Sequence, residues 1–199
     1  MSESRPQLLS RLDRSTREQT IPGMFLQAVI ASAEVHGVDV VERARARVGM
    51  GEPLVESYRY PVSCMLEMLD IIGQVAESRG TPYGEALFQS GRAAGLAYVR
   101  SAVGRMRAMV AAPVGLHRAL EGIPNAATLA VNFGERSYRR LTHSSGELAF
   151  QQDLIGAAWN IGMVTASTSA GLSLGPEELK FDVSVTDDDA SSFLLRLYW

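Results

Sequence analysis

The side chains that most often carry out chemistry are few in this sequence. Its histidines are His36, His117 and His143, and Cys64 is its one cysteine. No two histidines stand four residues apart, as a zinc-binding helix of the HExxH type requires. His36 precedes a glycine that ends a predicted helix, and His143 lies in a predicted hairpin turn, so we expect both on the surface. The sequence therefore predicts no metal site and no catalytic residue.

His117 and Cys64 both have apolar neighbours. His117 lies on a short predicted helix, where a haem ligand is one interpretation; we favour a structural histidine, because lone histidines rarely bind haem. Cys64 is followed by Met65 and Leu66, which favours a small buried hydrophobic residue. A reactive thiol would need a basic and partly open setting. One cysteine also excludes a disulfide within the chain.

Three consecutive acidic residues, Asp187, Asp188 and Asp189, form a second group. A calcium-binding loop places its ligands at alternating positions and adds a glycine and a later glutamate, which this stretch lacks. Aspartates are frequent in turns because their side chains bond to the nearby backbone. We therefore interpret 187–189 as an acidic turn between two strands.

A cluster of arginines in the middle of the sequence is the most prominent charged feature. It consists of Arg100, Arg105, Arg107 and Arg118, all on predicted helices. Guanidinium groups bind carboxylates and phosphates through paired hydrogen bonds, so this patch is a candidate site for an anion or for an acidic protein partner. A solvated helix face is the alternative interpretation.

The charge balance excludes one class of partner. The chain has 19 basic residues, all arginine except Lys180, and 22 acidic residues, which gives a net charge of −3. Nucleic-acid-binding domains carry a basic excess, so we expect no nucleic-acid partner. The first residues lack the apolar core of a secretory signal, and no apolar run approaches the ~18 residues of a membrane span. We expect a cytoplasmic protein with no membrane contact.

The elements that must position these residues divide into two parts. From residue 21 to about 132, apolar residues recur every three or four positions, which indicates successive helices. Two hairpins follow, Ser137–Leu141 with Glu147–Gln151 and Leu179–Val185 with Phe193–Trp199. A helix over Asp153–Ala170, with Asp153 as N-cap, separates them. The pattern predicts an α+β fold, a helical layer packed on a four-stranded antiparallel sheet, in the order helices, hairpin, helix, hairpin.

Glycines inside the predicted helices indicate close packing. Glycine inside a helix reduces its stability, so we expect a neighbouring element to approach closely at such positions. They are Gly91, in a helix over residues 82–101, and Gly156 and Gly162, in the helix over 153–170. Pro124 is expected to start a separate short helix over 125–132. Residues 1–20 form a polar arm, either disordered or docked on a neighbour. One domain follows at 21–199.

Several short motifs carry a family resemblance. They are Tyr60-Pro-Val-Ser-Cys-Met-Leu, Gly91-Arg-Ala-Ala-Gly, Val131-Asn-Phe-Gly and the closing Leu195-Arg-Leu-Tyr-Trp. Together they resemble a large paralogous family of myxobacteria that is known only as a domain of unknown function. The element order also resembles a wider group with the 4-vinyl reductase domain, the haem nitric-oxide-binding domain and the transport-particle subunits of vesicle traffic. That resemblance implies a small-molecule or lipid pocket, a dimer-forming helical surface, or both.

The sequence departs from two members of that group. The haem domains use a Tyr-x-Ser-x-Arg motif with a proximal histidine, and the motif is not found here. The vinyl-reductase type often carries cysteines near its end, and none follows Cys64. Neither haem nor a cysteine-bound metal carries over, so no cofactor is predicted.

We expect a non-enzymatic, regulatory ligand-sensing or protein-interaction domain that works as a homodimer or with a protein partner. A small apolar ligand would lie between the helical layer and the sheet. The residues predicted to line that pocket are Leu66, Leu69, Tyr98, Phe150, Trp159 and Phe181. Plain core is the alternative for each of them. The other functional alternatives are an assembly subunit without a ligand and an enzyme that uses Arg92 and Tyr98 on a small acidic substrate.

Overall fold

In the structure, a helical part precedes the main sheet. The structure is a computed structural model, and it describes residues 3–47, 49, 53–111, 115–175 and 178–199. Between residues 102 and 111, the side chains at 103, 107, 108, 110 and 111 lie outside the description. The helices described are α1 (Arg5–Arg14), α2 (Gly23–Ala33), α3 (Val38–Arg47), α4 (Val62–Ser78), α5 (Tyr83–Arg100), α6 (Ala102–Ala111), α7 (Leu116–Ala130) and α8 (Ala157–Gly171). The strands described are β1 (Thr20–Pro22), β2 (Arg59–Pro61), β3 (Glu135–Thr142), β4 (Ser145–Gln151), β5 (Lys180–Val185) and β6 (Phe193–Tyr198). Of these helices, none combines the length and the apolar character needed to cross a bilayer.

The larger sheet has four antiparallel strands in the order β3, β4, β6, β5, which confirms the predicted α+β fold. Each hairpin supplies two neighbouring strands, and the pairing of β4 with β6 joins the hairpins. Leu148, Phe150, Phe193 and Leu195 alternate onto the inner face and are buried. The rings of Phe150 and Phe193 stack with centroids 4.4 Å apart. β6 is a central strand, and its outer face, with Arg196 and Tyr198, is exposed.

A second, two-stranded sheet differs from the expectation of a single sheet. β1 pairs antiparallel with β2, and each has three residues. Strands this short show no periodicity in a sequence. β1 ends at Pro22 and β2 at Pro61, and each proline is the N-cap residue of the helix that follows, α2 or α4. The small sheet therefore ties together the starts of these two helices.

α5 and α8 pack closely against each other. A Cβ atom on Gly91 would lie 2.0 Å from the carbonyl oxygen of Trp159. A Cβ atom on Gly162 would lie 2.1 Å from the carbonyl oxygen of Phe88. The two backbones are therefore in direct contact. This is the close approach that Gly91 and Gly162 predict. Gly156, expected inside the same helix as Gly162, instead precedes α8 with a φ of 92°.

Two helix boundaries differ from the sequence predictions. α7 continues through Pro124, although proline removes one helical hydrogen bond; packing of α7 along β3 outweighs that loss. α8 begins at Ala157 and not at Asp153. Asp153 instead accepts a hydrogen bond from the Ile155 N–H at 2.9 Å and pairs with Arg136. The preference of aspartate for caps is here satisfied in the loop before the helix.

The N-terminal arm is ordered and docks on its own chain. Leu8 of α1 is fully buried. Arg5 contacts Asp70 of α4, with Nε 2.9 Å from Oδ1. Asp70 also accepts a hydrogen bond from the Tyr83 hydroxyl at 3.0 Å. Of the two alternatives that the sequence left open, the structure shows docking, and the neighbour is α4 together with the start of α8.

Candidate functional site

A polar cleft opens where β3 begins, β4 ends and the turn between β5 and β6 meets them. Its first cavity has a volume of about 460 Å³ and is lined by Glu135, Gln151, Gln152, Thr186, Asp187 and Ser192. Its second cavity has a volume of about 380 Å³ and is lined by Ser10, Arg14, Gln152, Asp187, Asp188, Asp189, Ser191 and Ser192. The two cavities share three residues, so we call them together the polar cleft. Both are open to solvent and lined mainly by polar side chains.

Hydrogen bonds between two loops fix the shared wall of the polar cleft. The Gln152 N–H donates to Ser192 Oγ at 3.1 Å. The Asp153 N–H donates to the Ser191 carbonyl at 2.8 Å, and the Thr186 N–H donates to the Ser192 carbonyl at 2.9 Å. Gln152 has a φ of 53°, in the left-handed region that residues with a Cβ seldom adopt. Such strain persists only where the surroundings impose it, and it is common at binding sites.

The first cavity is acidic. Its lining contains the carboxylates of Glu135 and Asp187 and no basic side chain. Asp187 Oδ2 accepts a hydrogen bond from Ser191 Oγ at 2.7 Å, whereas Oδ1 is buried and has no partner. Burial acts to raise the pKa of Asp187, but the polar groups of Ser192 and Ser191 outweigh burial, so this pKa lies below its usual value. Asp187 is therefore held within the turn by the polar groups of Ser191 and Ser192.

The acidic turn at 187–189 lies between β5 and β6 and holds α1 through three contacts. Arg14 forms an ion pair with Asp189. Gln7 Nε2 donates to the Asp188 carbonyl at 3.0 Å. Arg11 donates to the Asp189 carbonyl. The turn thus connects the polar cleft to α1.

A buried ion pair completes the docking of α1. The side chains of Arg11 and Glu3 pair with exposed fractions of 0% and 2%. Arg11 also donates to the Leu154 carbonyl at 3.0 Å, and Glu3 accepts from the Ala158 N–H at 2.7 Å. Burial raises the pKa of Glu3, and the positive charge of Arg11 opposes that rise. We call this group of contacts the latch. It joins the N-terminal arm to the first turn of α8.

The latch and the polar cleft were not predicted from the sequence. The arm has a polar sequence, and a buried Arg11 or Glu3 has no local signature. One signal was available, namely the capping box at the start of α1, in which Gln7 Oε1 accepts a hydrogen bond from the Ser4 N–H at 2.9 Å. That motif indicates a helix start, although it does not indicate where the helix docks.

The predicted apolar pocket residues lie in several parts of the core. Leu66 and Leu69 on α4 have 0% exposure. Trp159 on α8 meets Phe25 edge to face, with ring centroids 5.9 Å apart, and its Nε1 is buried without a hydrogen-bond partner. Tyr98 is half-buried near the end of α5. Each of these four predicted residues therefore fills space in or beside the helical layer.

The remaining two predicted residues are in the sheet. Phe150 packs on its strand neighbour, as described above. Phe181 of β5 meets Phe88 of α5 with ring centroids 6.2 Å apart. The structure brings helix and sheet together at that contact. A ligand at these six residues stays a prediction.

The arginine patch is partly visible. Arg100, Arg105 and Arg118 are exposed, and the side chain of Arg107 lies outside the described residues. Arg105 donates to the Arg100 carbonyl at the junction of α5 and α6. Arg118 pairs with Glu121 at 3.0 Å, an exposed contact. Arg100 and Arg105 are thus close together, and their charges face solvent.

His117 links α7 to the first hairpin. Its Nε2 lies 3.1 Å from the His143 carbonyl, which can only accept, so Nε2 carries the proton. Nδ1 then accepts from the Tyr138 hydroxyl, and burial raises the pKa of Tyr138, which keeps that hydroxyl protonated. The Trp199 ring packs edge-on against His117 at 4.7 Å. Both imidazole nitrogens are therefore engaged. Across the described part of the chain, no three histidine, cysteine or acidic side chains gather as a metal site.

The fold is similar to that of H-NOX domains. One similar structure concerns haem redox potential modulated by protein-induced porphyrin distortion, with 13% identity, 90% of this chain and 100% of that chain covered, and a TM-score of 0.64. A second is an Fe(II) unliganded H-NOX variant from K. algicida, with 10% identity, coverage of 89% and 96%, and a TM-score of 0.65. A third is an H-NOX variant from T. tengcongensis, with 13% identity, coverage of 87% and 94%, and a TM-score of 0.61. At these identities the likeness concerns the fold alone.

Sequence comparison gives the family. No curated protein matches this chain. A family model described as a protein of unknown function, DUF2378, matches residues 14–199. This match spans both helical and sheet parts, from the end of α1 to the last residue of β6 and beyond. The chain belongs to the DUF2378 family and has an H-NOX-like fold.

Proposed function

We propose that this chain is a non-enzymatic sensing domain that works without haem and reports through the docking of α1. The observation that carries the proposal is the latch, in which the buried pair of Glu3 and Arg11 ties the arm to the start of α8. The H-NOX-like fold supports a ligand-sensing role, because the similar domains include haem proteins.

The residues present do not fit haem. An iron ligand needs a free imidazole nitrogen or another soft donor inside an apolar pocket. His143 is exposed, His36 is half-buried beside Arg79 and outside the core, and both nitrogens of His117 have hydrogen-bond partners. In addition, the backbones of α5 and α8 touch at Gly91 and Gly162, so a planar macrocycle has no room between these two helices. We therefore derive no chemistry through haem.

The latch is suited to a switch because its contacts are polar. A buried ion pair gains Coulomb energy but loses the hydration of both charges, so its net contribution to stability is small. The other anchors of α1 include the fully buried Leu8, the partly buried Leu12, the hydrogen bond from Gln7 to the Asp188 carbonyl, and the partly exposed pairs of Arg5 with Asp70 and Arg14 with Asp189. Exposed pairs contribute about 0–1 kcal/mol each. Undocking of α1 should therefore cost less than global unfolding.

Hydrogen exchange on the intact protein tests the role of α1. We expect the amides of α1 and the Ala158 amide to exchange faster than the amides of α5, which packs along α8. Arg11→Met should accelerate exchange in α1 further, whereas Arg17→Met, at an exposed position of the same arm, should not. If α1 exchanges only through global unfolding in both the native protein and Arg11→Met, α1 is a fixed part of the core and the proposal is wrong.

Haem titration tests the other half of the proposal. Haemin added to the purified protein should give no stoichiometric Soret band. A one-to-one complex whose spectrum changes in His117→Ala would show that the imidazole can leave its partners and bind iron. That result would overturn a haem-independent function.

An interaction surface at α6 is a second candidate function. Met106 and Met109, three residues apart on α6, are 62% and 74% exposed, and Arg100 and Arg105 lie at the same junction. Exposed methionines beside arginines fit a partner with an acidic and apolar surface. Charge reversal of Arg100 and Arg105 should abolish capture of such a partner, whereas reversal of Arg43 on α3 should not. The homodimer and the other partners expected from the sequence stay predictions.

A further inference from the structure

One edge of the four-stranded sheet is unpaired within the described part of the chain. β5 is the last strand in the order β3, β4, β6, β5, and it pairs with β6 alone. Just beyond β5, the Thr186 N–H donates to the Ser192 carbonyl at 2.9 Å. Because backbone hydrogen bonds alternate in direction along an antiparallel pair, the even-numbered residues of β5 bond to β6 and the odd-numbered residues point away from it. Phe181, Val183 and Val185 therefore present a row of backbone donors and acceptors at the edge.

The apolar face of β5 is incompletely covered at the same edge. On β6, Leu195 and Leu197 are fully buried. Their partners on β5, Val183 and Phe181, are half-buried, and Val185 is 43% exposed. A further strand beside β5 would cover these side chains and accept their backbone hydrogen bonds, so both the hydrophobic effect and hydrogen bonding favour its addition.

A row of alternating charges crosses the outer face of the sheet and ends at this edge. Taken across the four strands, it consists of Arg139 of β3, Glu147 of β4, Arg196 of β6 and Asp182 of β5, each directly opposite the next. Glu147 forms ion pairs with both arginines at 2.8 Å. Opposite charges on directly paired residues stabilise a sheet, and like charges destabilise it. A strand added beside β5 should therefore present a cation opposite Asp182.

β5 itself carries that cation. Lys180 lies two residues before Asp182, on the same face of the strand, and both side chains are exposed. If two copies of β5 pair antiparallel with their Phe181 residues opposite each other, Lys180 of each copy lies opposite Asp182 of the other. This register also joins backbone groups that point away from β6 in both copies. A register shifted by two residues would place either the two Asp182 side chains or the two Lys180 side chains opposite each other, which is unfavourable.

Lys180 also restricts which strand can pair with β5. A lysine on an edge strand discourages pairing with an arbitrary strand, because its charge then needs a partner or access to water. A second copy meets this requirement twice, since a two-fold axis repeats every contact. The edge is therefore complementary to itself.

We propose that two copies of this chain join through β5, so that their four-stranded sheets form one antiparallel sheet with Lys180 of each copy opposite Asp182 of the other. This interface goes beyond the proposed sensing function and does not depend on the latch. One strand from each copy buries less than the about 1,200–2,000 Å² of a stable complex, so we expect a dissociation constant on the order of 10 µM.

Sedimentation equilibrium with two charge variants tests this interface. Lys180→Asp places a carboxylate opposite Asp182 of the other copy, and Asp182→Lys places an ammonium group opposite Lys180. Each variant alone should therefore dimerise at least about tenfold more weakly than the native protein. An equimolar mixture of the two should dimerise about as tightly as the native protein, because the introduced charges then face each other. Glu42→Lys makes the same charge change as Asp182→Lys at an exposed position of α3 and should leave dimerisation unchanged.

Three results would overturn the β5 interface. The first is a native protein that stays monomeric at about 100 µM. The second is a dimer that both variants retain, because it would use another surface. The third is a mixture that dimerises no better than its components, because it would exclude this register. Circular dichroism checks the fold of each variant. If Asp182→Lys unfolds through its contact with Arg196, Lys180→Asp carries the test, and dimerisation of that variant at native strength refutes the interface.

Discussion

Replacing Gly91 by alanine should force α5 and α8 apart. The added methyl group would lie 2.0 Å from the Trp159 carbonyl oxygen and 2.8 Å from its carbonyl carbon. Both are backbone atoms of a buried helix, so no side-chain rotation can relieve the contact. The helices can accommodate the methyl group only by separating, which loosens the packing along their whole contact.

The expected loss of stability follows from two opposing effects. Overpacking of a close-packed interior costs typically 1–3 kcal/mol, and a rigid backbone contact places Gly91→Ala near ~3 kcal/mol. Alanine in place of a helical glycine returns about 0.5–1 kcal/mol. The net destabilisation is therefore about 2 kcal/mol, which lowers the Tm of a domain of this size by about 4–8 °C.

Urea unfolding followed by circular dichroism measures this change, and Gly122→Ala is the matched control. Gly122 lies inside α7 and has no atom within 4 Å of an added Cβ, so this variant should gain up to about 1 kcal/mol. Fluorescence of Trp159 should also change in Gly91→Ala and not in Gly122→Ala. If Gly91→Ala is as stable as the native protein while Gly122→Ala behaves as expected, α5 and α8 are not in backbone contact. Their packing then no longer excludes haem from the space between them.

Three further predictions concern polar contacts. Arg11→Met leaves Glu3 without its partner in the buried latch. Because undocking of α1 returns Glu3 to water, the cost in urea unfolding should not exceed the free energy of docking and should stay below the ~3–5 kcal/mol of a charge that cannot leave the core; Arg17→Met should cost nothing measurable. Hydrogen bonds from Arg196 hold the pKa of Glu147 below its ordinary value of 4.5, with Arg139 also contributing and burial opposing. The stability from Glu147 is therefore present above pH 4.5 and is lost as the pH falls through the lowered pKa, so Glu147→Gln should flatten the acid limb of the pH–stability curve; an unchanged limb would contradict this. His117→Phe removes two hydrogen bonds between α7 and the first hairpin and should lower the free energy of unfolding by about 1–3 kcal/mol. Tyr138→Phe removes only one of them and should cost less. Equal losses in the two variants would show that the bond to the His143 carbonyl contributes nothing.

The elements that the sequence predicted well are those whose burial is periodic. α4, observed at Val62–Ser78, lies in the stretch where apolar spacing of three and four predicts successive helices, because its apolar residues follow one face. The two hairpins could be predicted because β3 to β6 are long enough for the alternation of apolar and polar residues to be visible in the sequence. In each case, local pattern and tertiary environment agree.

The features that the sequence did not predict depend on distant contacts. Pro124 lies inside α7 because packing on β3 outweighs the lost hydrogen bond, and nothing local reveals that packing. Three-residue strands such as β1 are defined by their partner alone. Arg11 and Glu3 have polar side chains whose burial becomes evident only when α8 is present. The polar cleft likewise combines residues from three separate loops and strand ends.

The latch also constrains the order in which the chain can be completed. Arg11 bonds to a carbonyl 143 residues later, and Glu3 bonds to an amide 155 residues later. During synthesis, α4 is complete long before α8 and the β5–β6 turn, so α1 can meet only part of its docking surface at first. The contacts of α1 with α8 and with that turn must close much larger loops. The start of α8 therefore stays uncovered for as long as these contacts are not made.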